Sequence, residues 1–175
     1  MSKHFEVLGI SSSDGDKLAL VGIEEGVRVI PVEMTRKITP FKDLKAAYKL
    51  YTIFKREKPF IVHTHTPKAG TLGMLAAYLA RVPHRLHTIA GLPLVETKGF
   101  KRFVLDFVEN ITYRCATKIY PNSFGLLDII LENRYTEDSK LKVIGNGSSN
   151  GIDLNYFNPE LFNQKEIISF KKIRF

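Results

Sequence analysis

Short apolar runs alternate with segments of helical periodicity along the chain, and no other feature restricts the fold as much. FEVLGI (5–10), VRVIPV (27–32), FIVHTH (60–65), RLHTIA (85–90), TKIYPNS (117–123, a strand and its exit) and KLKVIGNG (140–147) read as strands. DKLALVGIEEG (16–26), PFKDLKAAYKLYTIFKREKP (40–59), PKAGTLGMLAAYLARV (67–82), GFKRFVLDFVENITYRCA (99–116) and FGLLDIILEN (124–133) read as helices. Gly26 and Pro59 stand where the first two should stop. In the second helix Leu44, Ala47, Tyr48, Tyr51 and Phe54 share one face, and in the fourth Phe103, Phe107 and Ile111 point inward. Strand–helix alternation implies right-handed crossovers and a parallel sheet with helices on both faces. Strands this short and apolar agree with burial on both sides.

At 175 residues the chain suits one domain with a proper core. Cys115 is the one cysteine, so no internal disulfide forms and a reducing, cytoplasmic setting is expected. Neither a signal peptide nor a membrane-spanning run is expected: the stretch from Leu72 to Ala80 is too short and is broken by Gly73. Twenty-six Lys and Arg against eighteen Asp and Glu give a net charge of +8. That balance suits an anionic partner, whether a phosphorylated substrate or an acidic membrane surface, or simply a soluble basic surface. The basic residues are scattered, without the Arg-rich helix or aromatic platform of a nucleic-acid binder.

Chemistry concentrates at IVHTHTPKAG (61–70). Ligands of open parallel sheets sit off the carboxyl ends of the strands. His63 and His65 lie at such an end, two residues apart and therefore on one face. Thr66 suits a helix N-cap and Pro67 the first turn, so the amides of Lys68, Ala69 and Gly70 would open onto the crevice. Lys68 would add a full charge. The alternative is a capped helix whose histidines serve nearby backbone groups. A metal site is disfavoured, since two histidines lack a third ligand nearby. Gly70, Gly73, Ala77 and Ala80 give one small-residue face that lets this helix approach the sheet closely. In HTIAGLPLVETKGF (87–100), Gly91 and Pro93 make a turn and Glu96 is the one carboxylate, a general base or a solvated side chain. Asn122 and Ser123 in PNSFG (121–125) stand at a helix start, where capping is the simpler role. IGNGSSNGIDLNYFNP (144–159) reads as a turn-rich exit toward another domain, or as a surface loop.

EEGVRVIPVEMTRKITPFKDLKAAYKLY, KPFIVHTHTPKAGTLGMLAA, HTIAGLP and VIGNGSSNGIDLNYFNP together resemble the N-terminal half of GT-B glycosyltransferases of the large retaining family 4. The similar branch builds capsular and O-antigen-type polysaccharides. The resemblance covers about residues 4–161 and leaves 162–175 as a tail outside it. It implies a Rossmann-like domain holding the acceptor, typically an undecaprenyl-diphosphate-linked sugar at the inner membrane face. The nucleotide-sugar, a co-substrate with no further cofactor or metal, would sit on a second domain through an Arg/Lys pair and a glutamate pair. His63, His65, Thr66, Lys68, Gly91, Glu96, Asn122 and Ser123 would line the acceptor side, and no catalytic residue is assigned.

Three departures accompany it. No donor domain follows residue 161, so the chain would be an acceptor-side half, inactive alone, with the other wall on a longer or a separate chain. A sugar- or phosphate-binding module and a gene remnant are the alternatives. Ala90 stands where many members carry a histidine. MSKHFEVLGISS resembles the end of the family's first helix and its second strand, which leaves out the first strand, central between 5–10 and 60–65. Buried unpaired backbone groups cost about 1–3 kcal/mol each, against a total stability of about 5–15 kcal/mol. The strands at 5–10 and 60–65 are therefore expected to pair directly.

Overall fold

The computed structural model describes residues 4–35, 39–92, 97–147 and 156–158, with only the backbone of residue 100. Strands and helices alternate: β1 (Leu8–Ser11), α1 (Lys17–Glu25), β2 (Arg28–Pro31), α2 (Pro40–Glu57), β3 (Ile61–Thr64), α3 (Pro67–Leu79), β4 (His84–Ile89), α4 (Gly99–Cys115), β5 (Lys118–Pro121) and α5 (Phe124–Glu132). All strand pairing is parallel, and the sheets are flanked by helices.

Local chemistry explains the boundaries. Gly26 ends α1 at φ 62°, and the next amide, of Val27, donates back to Gly22 O. At the start of α2 the Asp43 carboxylate accepts from both the amide and the hydroxyl of Thr39, at 3.0 Å each. Lys58, left-handed at φ 46°, closes α2 just before Pro59. The expected last strand reduces to one bridge between Ile119 and Leu141, after the 3-10 turn Asp138–Lys140. Gly145 and Gly147, both at positive φ, turn the chain away from the sheet.

α3 lies unusually close to β3 and β4. A Cβ at Gly70 would stand 2.4 Å from His87 Cε1, and one at Gly73 would stand 2.8 Å from Thr64 Cγ2. The side chains that occupy this space bond to each other, Thr64 Oγ1 and His87 Nδ1 being 2.8 Å apart. His87 is 3% exposed, and burial, with His63 and His65 nearby, pushes its imidazole down to about 4. Val32, Met74, Ala77, Tyr113, Ile119 and Ile130 are fully buried.

Two inward faces differ from expectation. α2 buries Ala46, Leu50, Ile53 and Phe54, while Leu44 is 71% and Tyr48 67% exposed. α4 exposes Phe103 and Phe107, packs Ile111 partly, and buries Glu109, Thr112, Tyr113 and Cys115. Both helices carry two apolar stripes of the same period, so period alone does not choose between them. The choice is made by α3, against which both pack. On α4, Thr112 is accepted into that contact because its hydroxyl lies within hydrogen-bond distance of both Thr71 Oγ1 and Val108 O, so it has a partner there.

The strands form two sheets, β1–β2 and β3–β4–β5, and the expected pairing of β1 with β3 does not occur. A cavity of about 320 Å³ separates their facing edges, with Leu50 and Phe54 of α2 on its wall. The packing of α2 on α3 fixes the separation of the strands beneath. The expectation assumed dry edges. Instead the cavity is lined at its rims by exposed residues, Glu6 and Ile61 at one end and His65 and Thr66 at the other. Backbone groups open to solvent avoid most of the cost of burial.

Gly70→Ala tests the close approach. Helix propensity alone would stabilise by about 1 kcal/mol, whereas the collision with His87 should destabilise by about 1–3 kcal/mol. Urea unfolding should show a net loss, and a net gain would mean that α3 is not seated this closely. His87 also predicts an acid dependence. Its folded pKa lies below its unfolded one, so the unfolded chain takes up the proton first. The contribution of neutral His87 is fully present above about pH 6.5 and is lost as pH falls toward about 4. Between pH 7 and 5 the His87→Gln variant should lose less stability than the parent, by up to about 2 kcal/mol. Parallel pH profiles would contradict a neutral buried His87.

Candidate functional site

β3 carries its chemistry at its carboxyl end, and strand parity sorts it onto two faces. Thr64 faces α3 with His87. His63 faces the other way, where its Nε2 shares a 2.8 Å hydrogen bond with Thr88 Oγ1. The parallel register puts Thr88 beside Tyr120, whose ring meets that of His63 edge-on at 6.2 Å. His65 continues the line beyond the strand, its ring centroid 4.1 Å from that of His63. His63 is half-buried and His65 exposed. Burial, and then the neighbouring His65, push His63 down to about 4, so at neutral pH it is an uncharged imidazole. Such a ring exchanges hydrogen bonds with hydroxyls without attracting or repelling charge.

Thr66 occupies the N-cap of α3 in extended conformation with Pro67 following, but its side chain makes no capping bond. Its carbonyl accepts from the Gly70 amide at 2.6 Å, so that amide does not open onto the crevice. Lys68 is not a bare charge. Its ammonium lies 2.7 Å from Asp43 Oδ1 and 3.3 Å from Thr35 Oγ1, and its side chain is 19% exposed. Burial pushes the Asp43 carboxyl up, but the hydrogen bonds from Lys68 and Thr39 prevail and hold it below the usual range. The pair ties the start of α3 to the start of α2 and fixes the rim of the crevice.

The cavity between β1 and β3 brings His63, Thr64, His65 and Thr66 onto one wall. Gly91, Asn122 and Ser123 are not in that lining. Gly91 is exposed beyond β4. The Asn122 amide donates to Ile89 O at 2.9 Å, and Ser123 caps α5, its Oγ accepting from the Leu126 amide at 3.2 Å. Gly147 packs against this pair: a Cβ there would stand 3.2 Å from Ser123 Cα. Glu96 lies outside the described residues. Among the described residues no three His, Cys, Asp or Glu side chains gather as a metal site. A second depression, of about 500 Å³, lies at the other end of β4 between Tyr78 and Arg85, away from the histidines.

Sequence reasoning missed Thr88 and Tyr120. Both belong to runs identified as strands, and the signal that finds them is register: in a parallel sheet each lies level with the tip of β3.

Comparison with known proteins fits this geometry. Residues 6–147 match the glycosyl transferase 4-like domain. The capsular polysaccharide biosynthesis glycosyltransferase CapM of Staphylococcus aureus is 44% identical over 148 residues, which is 85% of this chain and 38% of that protein. The UDP-Gal:alpha-D-GlcNAc-diphosphoundecaprenol alpha-1,3-galactosyltransferase of Escherichia coli is 34% identical over 141 residues, 79% of this chain and 35% of that protein. Among solved structures, MurG of Acinetobacter baumannii superposes with a TM-score of 0.55 at 18% identity, covering 87% of this chain and 39% of that one, a likeness of fold. The chain thus spans little more than a third of the length of these relatives. With its parallel strands, its histidine-bearing strand tip and a match that runs through every strand and helix named above, the chain belongs to the glycosyl transferase 4-like family.

Proposed function

We propose that residues 1–175 form the acceptor-side half of a glycosyltransferase of cell-surface polysaccharide synthesis. The acceptor is a sugar carried on undecaprenyl diphosphate, as the name of the Escherichia coli relative says of that enzyme. Its hydroxyl bonds to the anomeric carbon of a nucleotide-sugar on the face from which the nucleoside diphosphate departs, the hydroxyl proton goes to that departing diphosphate, and the configuration is retained. The donor is held by a part of the enzyme outside these residues, on the same or a separate chain, and needs no further cofactor. The observation that carries the reading is the row His63–His65 with Thr88 and Tyr120 at the tip of β3. The neutral imidazole of His63, the ring of His65, a hydroxyl and an aromatic ring suit a sugar, which presents hydroxyls on its edges and apolar C–H groups on its faces. Gly91, Asn122 and Ser123 would meet more distant parts of the acceptor. Lys68 would act by holding the rim in place through Asp43.

The chain alone should bind undecaprenyl-diphosphate-linked N-acetylglucosamine and transfer nothing to it from nucleotide-sugars. Joined to the remaining residues of the Staphylococcus aureus relative, it should transfer sugar. In that hybrid, His63→Ala should raise the KM for the lipid-linked acceptor about tenfold, the equivalent of one or two lost hydrogen bonds, and leave the KM for donor unchanged. Robust transfer by residues 1–175 alone would refute the placement of the donor. A donor KM that rises with the acceptor KM would refute the placement of the acceptor.

Peripheral contact with an anionic membrane completes the reading. No helix among the described residues is long and apolar enough to cross a membrane. The outer face of α2 instead presents Phe41 (90% exposed), Leu44 and Tyr48, interleaved with the exposed Lys42, Lys45 and Lys49. Apolar side chains set among lysines suit a surface of anionic headgroups, each lysine contributing about 1 kcal/mol. Co-sedimentation should show binding to phosphatidylglycerol vesicles that weakens with salt. Phe41→Ser with Leu44→Ser should reduce it at least about tenfold. Equal binding to phosphatidylcholine vesicles, or no loss in the double variant, would rule this surface out.

A further inference from the structure

The depression at the amino end of β4 has no part in the proposed function. Its volume, about 500 Å³, falls within the usual range for small-ligand sites. Tyr78 and Leu79 at the end of α3, Arg81, Val82 and Pro83 of the connection, and Arg85 of β4 line it. Two of these side chains are guanidinium groups and none is a carboxylate. Neither guanidinium makes an ion pair among the described residues. Arg85 is held in place: its Nε donates to Cys115 O at the end of α4, its Nη1 donates to Val82 O, and its Cζ stands 5.5 Å from the centroid of the Tyr78 ring. Those bonds leave Nη2 and the second N–H of Nη1 without a partner among the described residues. Together they form the end-on fork that grips a planar or tetrahedral oxyanion through two N–H groups.

The backbone narrows the ligand further. The amides of Ala80, Arg81, Val82, His84 and Arg85 already donate, to Ala76 O, Tyr78 O, Ala77 O, Phe60 O and Thr117 Oγ1, and Pro83 has no N–H. An anionic group is therefore met by guanidinium and not by main-chain donors. The rest of the wall is apolar side chain, with Tyr78 54% and Leu79 56% exposed.

We propose that this depression binds a phosphomonoester carried on an apolar chain: the phosphate sits between Arg81 and the open fork of Arg85, and the chain lies along Leu79, Val82 and Pro83. Charge selects the monoester. Two unpaired cations match a phosphate that carries close to two negative charges above about pH 6, whereas a sulfate, a carboxylate or a phosphodiester leaves one cation in excess. The apolar wall selects the chain, because contact removes hydrocarbon of both partners from water. Such a group reaches the site either as a dissolved alkyl phosphate or as a lipid headgroup in a leaflet.

The test uses the whole chain at pH 8 and octyl phosphate below its micelle concentration, followed by calorimetry and by NMR of methyl and guanidinium groups. Octyl phosphate should bind at least about tenfold more tightly than octyl sulfate, inorganic phosphate or octanol, and should shift the signals of Leu79, Val82 and Arg85. Arg81→Gln, which removes an exposed charge, should weaken binding about fivefold or more at an unchanged urea midpoint. Arg85 is left intact because it also holds the end of α4. Each of four results would overturn the proposal: equal binding of octyl sulfate, equal binding of inorganic phosphate, no loss with Arg81→Gln, or shifts at His63 and His65 in place of Leu79 and Val82. Vesicles containing phosphatidic acid, offered to the Phe41→Ser, Leu44→Ser chain, identify the source. Co-sedimentation that is lost with Arg81→Gln assigns a lipid leaflet, and co-sedimentation that is absent or indifferent to Arg81→Gln assigns a dissolved molecule; the site stands in both cases. None of these readouts depends on sugar transfer, so failure here and failure of the proposed function are distinguishable.

Discussion

The seating of α3 on β3 and β4 governs the rest of the structure. It is possible because Gly70 and Gly73 present no side chain where His87 and Thr64 need room. Close seating buries His87 and Thr64 together, and their shared hydrogen bond satisfies two polar groups that would otherwise be costly there. The same seating fixes the phase of β3, because with Thr64 committed inward, His63 and His65 must face outward. α3 is also the platform for α2 on one side and α4 on the other. Which stripes of those helices are buried, and which aromatic residues remain outside, therefore depends on where α3 lies.

A second constraint ties this packing to the crevice. Asp43 accepts from Thr39 in the first turn of α2 and also meets the Lys68 ammonium in the first turn of α3. One carboxylate thus closes a helix start and links two elements that are distant in sequence. Its worth lies in partial burial and multiple partners, which separate it from the exposed pairs such as Lys17–Asp14, where solvent and salt leave little net stabilisation. The Lys68 charge is thus shared with Asp43 at the rim of the crevice. What remains at the strand tip is the uncharged His63 imidazole with the hydroxyl of Thr88 and the ring of Tyr120 close to it.

The sequence disclosed the layer order and the strand–helix alternation because short apolar runs and Gly or Pro stops are local signals. Gly26 ended its helix as read, and Ser123 capped its own. The parity that puts His63 and His65 together was equally legible, since it depends on nothing beyond the strand. Legibility failed where a partner had to be known. Leu44–Tyr48 and Ala46–Leu50 are equivalent stripes until α3 selects one, and Phe103 and Phe107 lost their expected place for the same reason. Thr88 and Tyr120 joined the site through register, which no single segment encodes. The pairing of Lys68 with Asp43 joins two helix starts that sequence reading treats separately.

The gap between β1 and β3 shows how far an energetic argument carries when its boundary condition changes. Unpaired strand edges are forbidding only when they are dry. Here the two edges border a cavity that reaches the surface at both ends, so the chain keeps them open while α2 and α3 hold the two sheets at a set distance. In that arrangement β1–β2 is joined to β3–β4–β5 through helices and not through a ladder. The wall that carries His63 and His65 is then the free edge of the larger sheet. How firmly those imidazoles are held depends on what borders that edge.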